Sequence, residues 1–151
     1  MRYRKLLRVV LFSLLVNATV LAWGQGSEEQ RCFEVSLPQQ WQQSKLRVAV
    51  DELQAPGNVP FKLRVSVMGE DKKEVLLGSI AVEAIGPDKS APRTVSTLRI
   101  DVTRSLNRFL ENKAAPAKIE LLVRPVDARN NPIKNLAWSV KDVRLEVQPP
   151  R

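Results

Sequence analysis

The side chains that carry most protein chemistry are scarce in this chain. Its 151 residues include no histidine and a single cysteine, Cys32. That excludes imidazole-based triads, a histidine-ligated copper or zinc centre within the chain, and a histidine pH switch. One thiolate cannot build a metal cluster, and no glycines follow the GxGxxG spacing that cradles a phosphate. Carboxylates stand in two adjacent pairs, Asp51 with Glu52 and Glu70 with Asp71. Neighbours on a strand point to opposite faces and both pairs border turns, so neither is expected to converge as a general acid and base. The run DARNN brings Asp127, Asn130 and Asn131 together but lacks the carboxylates of a calcium loop. The expectation is a protein without catalytic residues, metal or cofactor.

Binding chemistry remains. Lys45 and Arg47 alternate with apolar residues on one strand, and Lys62 and Arg64 do so on the next. Paired as a hairpin, the two strands would present a basic stripe to an acidic partner or an anionic surface. The plainer reading is a solvated face balanced by Asp51, Glu52 or Glu83, because like charges directly opposite destabilise a sheet. Trp41 and Trp138 could form a sugar-stacking platform, although each also suits a core or rim aromatic. Cys32 has no partner for an internal disulfide. It reads either as a small apolar residue opening a strand or as a thiol for a cross-link to another chain.

The elements that must position these residues are mostly strands. From Thr97 to Val102 the chain alternates apolar Leu98, Ile100 and Val102 with polar Thr97, Arg99 and Asp101. At Thr103 the period changes. Leu106, Phe109 and Leu110 recur at three and four, as on one face of a short helix, with Thr103 in the N-cap position and Asn112, Lys113 and Pro116 closing it. Ile119, Leu121 and Val123 alternate again. Further strands are expected over 33–37, 45–53, 61–67, 75–84 and 137–147. Gly78 marks a bulge or a close approach, and 86–94 is the longest polar loop. In the last strand Trp138 and Val140 hold one phase while Val143, Leu145 and Val147 hold the other, which predicts a bulge near Lys141 and Asp142. Seven strands and one short helix, with no strand–long helix–strand rhythm, predict an all-β fold: an antiparallel two-sheet sandwich.

The N-terminus reads as an export signal. MRYRKLLR is basic, VVLFSLLVNATVLA is apolar, and Ala22-Trp23-Gly24 supplies small residues around a cleavage point. The expected organisation is a signal helix over 1–24, a flexible leader over 25–32 and a sandwich domain over 33–148, in an exported protein, periplasmic or secreted. Contact with a membrane is expected only through 1–24, if that segment stays uncleaved. The full chain has 24 basic and 16 acidic residues. Four of the basic ones lie in 1–24, which leaves 20 against 16, a net charge of +4. Without a long basic run or aromatic platforms, that balance argues against nucleic acid.

Three stretches carry a resemblance to a known family. LRIDVTRSLNRFL, then IELLVRPVD, then VKDVRLEV resemble the β-sandwich domain that follows the copper domain at the C-terminus of many bacterial tyrosinase-family proteins, akin to the C-terminal domain of plant polyphenol oxidases. The matching positions are Asp101, Val102 and Thr103, then Leu106 and Leu110, then Arg124 and Pro125, then Val143 and Leu145. LRVAVDELQAPGNVPFKLRVSV is similar to the family's opening hairpin and LLGSIAV to its third-strand region, so the likeness runs from about Lys45 to Val147. In that family the copper-binding histidines lie outside this domain. The resemblance therefore implies a non-catalytic accessory or interaction domain, here standing alone, that packs against another exported protein such as a tyrosinase-like enzyme. The alternative is a module that binds a glycan or envelope surface through Trp41, Trp138 and the basic stripe.

Overall fold

A computed structural model describes residues 29–84 and 92–148. The expected signal segment, the first part of the expected leader and most of the expected polar loop over 86–94 lie outside these residues. The described chain forms seven strands and one helix: β1 (Arg31–Ser36), β2 (Lys45–Pro56), β3 (Phe61–Met68), β4 (Glu74–Val82), β5 (Pro92–Asp101), α1 (Thr103–Leu110), β6 (Lys118–Val126) and β7 (Asp142–Gln148). Two antiparallel sheets result, one ordered β1-β6-β3-β4 and the other β5-β2-β7. No described helix is long and apolar enough to cross a membrane.

Alternation dictates the layering. Leu46, Val48 and Val50 of β2 are fully buried, as are Leu63 and Val65 of β3 and Leu121 and Val123 of β6, and they meet between the sheets. Removing so many branched apolar side chains from water is the main stabilising term of such a sandwich. The sheets also touch along both long sides, β1 against β7 and β4 against β5, which covers edges that would otherwise offer unpaired backbone groups. At the second of these seams Gly78 is required. A Cβ there would lie 2.8 Å from Ile100 Cγ2 and 3.4 Å from the Asp101 carbonyl oxygen. The expected bulge is there too: pairing with β3 shifts between Val65 opposite Gly78 and Ser66 opposite Leu76, leaving Leu77 as the extra residue.

The three-stranded sheet departs from the expected bulge in the last strand. β2 keeps one register with β7 from Lys45 opposite Gln148 to Asp51 opposite Asp142, and the isolated bridge of Gln54 to Ser139 continues that register. No residue is inserted against the partner. Instead β2 changes phase as well, burying Leu46, Val48 and Val50 before the irregularity and Leu53 and Ala55 after it. β5 does the same, turning Leu98 and Ile100 toward the core on one side and Val95 and Arg93 on the other, still in register with β2. All three strands therefore turn two consecutive residues outward at one level, Asp51 and Glu52, Ser96 and Thr97, Lys141 and Asp142. On β2 the step is made by Glu52 at φ 47°, a left-handed conformation that few residues outside glycine adopt without cost.

Local details differ at three further places. β1 begins at Arg31, two residues before the alternation suggests, and β5 begins at Pro92, inside the expected loop. The helix N-cap is Val102, not Thr103. The Asp101 carboxylate takes over the capping role by accepting the Thr103 N–H at 3.0 Å. The Thr103 hydroxyl donates to the same oxygen at 2.7 Å and accepts the Leu46 N–H of β2 at 2.9 Å. This corner ties the helix to both strands that precede it in the sheet, and Asn112 at φ 61° ends the turn after it.

Candidate functional site

The basic stripe expected from the sequence does not form. β2 and β3 do not pair as a hairpin; each belongs to a different sheet. Two consecutive strands with continuous apolar faces can bury them side by side or face to face, and these lie face to face. Lys45 and Arg47 therefore point outward from one sheet, and Lys62 and Arg64 from the other. Lys62 Nζ donates to Asn130 Oδ1 at 2.7 Å and to the Ala128 carbonyl at 3.3 Å. Arg64 lies 3.9 Å from Glu74, which also binds Arg124.

That second group is structural. Register places Arg64 beside Arg124 on one outward row and Met68 beside Glu74 on another, with the row Cys32, Leu122, Ser66 and Leu76 between them. The Arg124–Glu74 pair crosses that middle row. Beneath it Leu122 is only 2% and Ser66 1% exposed, although both face away from the core. Cys32, at the end of the row on β1, is exposed.

The tryptophans do not make a platform. Trp41, on a 3-10 turn between β1 and β2, is 8% exposed, and Trp138 is 6% exposed. Both pack into the core cluster. The Arg31 guanidinium lies 5.0 Å over the Trp138 ring and donates to its carbonyl at 3.1 Å, which accounts for the early start of β1. A sugar needs an open aromatic face, and neither ring offers one.

Three of the four carboxylates in the adjacent pairs, Asp51, Glu52 and Asp71, are also engaged in the framework. Contrary to the strand rule, Asp51 and Glu52 share the outer face, because Glu52 sits at the phase change. Glu52 Oε1 accepts from Lys141 Nζ at 2.6 Å. Asp51 binds Arg144 and accepts from the Thr97 hydroxyl at 2.8 Å. Asp71 Oδ1 accepts the Lys73 N–H at 3.1 Å within its turn. Asp127 Oδ1 accepts the N–H groups of Arg129 and Asn131 at 2.8 and 2.9 Å, so its oxygens shape the turn. Among the described residues no three acidic or thiol groups come close enough to hold a metal.

One surface gathers more positive charge than the described carboxylates beside it balance. Lys45 at the start of β2 and Arg104 and Arg108 of α1 are exposed and make no ion pair with any described residue. They border two open depressions of about 460 and 570 Å³ that share Arg104. Lys113 extends the line past the end of the helix, its Nζ 3.9 Å from the centroid of the Phe109 ring. The apolar pattern of α1 found the buried Leu106 and Leu110 but drew attention away from its opposite face. The signal there is the spacing of Arg104 and Arg108, four residues apart and one above the other on a helix.

The fold and this surface define a two-sheet antiparallel β-sandwich with a basic helical end. No family model matches the chain, and no curated protein matches it. Among solved structures the sandwich is similar to a recombinantly expressed latent aurone synthase (polyphenol oxidase), with 18% identity and a TM-score of 0.53 over 81% of this chain. The chain spans 25% of that protein's length. Similarity at this identity establishes a common fold.

Proposed function

We propose that this chain is an exported, non-catalytic sandwich that docks on a tyrosinase-like copper enzyme and shields it or assists its maturation. The observation that carries this reading is the overlay of most of the chain on one quarter of a polyphenol oxidase. The complete lack of histidine is in keeping with a role beside a copper site. The residues behind the family resemblance hold structural positions that favour it. Asp101 and Thr103 build the corner that starts the helix, Leu106 and Leu110 seat it on the core, and Val143 closes the second sheet. Export rests on the basic and apolar composition of residues 1–24.

The test is to add the purified chain in molar excess to a tyrosinase-like enzyme from the same source that lacks such a domain, and to follow diphenol oxidation and co-elution by size. A stoichiometric complex with a changed rate or copper content is expected. No co-elution and an unaltered rate would sink the reading, as would diphenol oxidation by the chain alone.

A further inference from the structure

We infer that the face made by α1 and the start of β2 is a docking surface for an extended acidic segment of a partner polypeptide. Lys45, Arg104, Arg108 and Lys113 stand along it. Two carboxylates oppose these four cations. Asp101 is committed to Thr103 through two hydrogen bonds, and Glu111 stands just past the last helical turn. A surplus of two positive charges is left on this face. Of the seven other exposed cations among the described residues, four are held by a carboxylate, Lys73 by Asp71, Arg99 by Glu146, Lys118 by Glu34 and Lys141 by Glu52. The remaining three border neither depression.

Spacing selects the ligand. Arg104 and Arg108 are four residues apart on a helix, so they stand about 6 Å apart along its axis. Alternate side chains on one side of an extended chain repeat at about 6.6 Å. An acidic strand-like segment with carboxylates at every second residue therefore meets both guanidinium groups in step, and the planar fork of arginine suits carboxylates in paired hydrogen bonds. Lys45 and Lys113 continue the line at either end. A membrane surface is disfavoured because this helix has no free apolar side chain to insert. Leu106 and Leu110 are buried, and Phe109 is half-buried against the core with the Lys113 ammonium on its ring. A polysaccharide is disfavoured because the one aromatic ring bordering the depression, Trp41, is packed into the core. The inference stands whatever the activity of the partner.

The test uses a fluorescein-labelled peptide of alternating Glu and Ser, read by fluorescence anisotropy against the full chain. Saturable binding is expected, and R104E/R108E should weaken it by about tenfold or more. R129E/K134E makes the same change in net charge at two exposed positions at the opposite end of the sandwich, and should weaken it by less than about twofold. The milder R104Q/R108Q guards against an effect on folding and should still lose several-fold. Equal losses in the two charge-reversed variants would overturn the inference, as would the absence of saturable binding. Stronger binding to phosphatidylglycerol vesicles or to polygalacturonate than to the peptide would also overturn it, since either would assign the surface to a different class of partner.

Discussion

In the three-stranded sheet, β5, β2 and β7 each turn two consecutive residues outward at the same level and the pairing never slips. In the four-stranded sheet only β4 takes an extra residue, Leu77, while β3 beside it buries Phe61, Leu63, Val65 and Val67 without interruption. Both devices move side chains between faces, but they load different terms. The shared step leaves register intact and concentrates its cost in the backbone of Glu52. The single bulge costs one ladder pairing and concentrates its constraint in space, at Gly78 against Ile100. A change of apolar phase along one strand thus reveals that a sheet is irregular, and leaves open whether the neighbouring strands are irregular with it.

The largest expected effect comes from the point where the shared step delivers its apolar residues back to the core. Leu53 is the first inward side chain of β2 after Glu52 and is fully buried. Leu53→Ala should cost about 2–5 kcal/mol, read as a lowered midpoint in denaturant with an unchanged slope. A loss much smaller than that would mean that this half of β2 is not anchored as a continuous strand.

Next come substitutions that separate the two devices. Gly78→Ala should destabilise by about 1–3 kcal/mol through overpacking alone, because even the first carbon added meets Ile100. Glu52→Val should cost about 1 kcal/mol beyond what Glu52 already bears, because a branched side chain is the least suited to a left-handed backbone. Glu52→Gly should be tolerated, the relieved backbone offsetting the lost bond to Lys141. Chemical denaturation of the three variants checks the contrast. If Glu52→Gly is as damaging as Glu52→Val, the backbone is not where the shared step stores its cost.

Much of this architecture was legible in the residues. Alternation found all seven strands and the class of fold, Leu106 and Leu110 found the helix, and Gly78 marked the bulge and the seam. The step at Trp138, Val140 and Val143 was visible on β7. Its counterpart on β2 was harder to see, because after Asp51 and Glu52 only Leu53 and Ala55 precede the turn at Pro56 and Gly57, too short a run to mark a second phase. The site was less legible. Alternation says which residues share a face of a strand, but not which strands share a sheet, so Lys45 and Arg47 were joined to Lys62 and Arg64 across what is in fact the core. Trp41 and Trp138 carry no sequence mark that distinguishes an open ring from a packed one. Arg104 and Arg108 became informative only once the ion pairs elsewhere showed which cations the fold already uses.

The smallest expected effect concerns pH and the corner that joins the two devices, where β5 ends and α1 begins. The Thr103 hydroxyl, and after it the Thr103 N–H, hold the Asp101 carboxyl below the usual carboxylate range. The Arg99 guanidinium, with Arg144 behind it, does the same for Glu146 on β7. A carboxylate whose pKa is lower folded than unfolded contributes stability that is fully present above its unfolded pKa and lost as pH falls through the folded one. The thermal midpoint should therefore stay nearly level from pH 7 to about 5 and fall below about pH 4, where unfolded carboxylates take up protons. Asp101→Asn keeps an oxygen for the Thr103 N–H but removes the titrating charge, so it should lower the midpoint slightly at pH 7 and shrink the drop on acidification. Adding Glu146→Gln should shrink that drop further. An acid limb equally steep in the wild-type chain and in the double variant would place the acid sensitivity elsewhere.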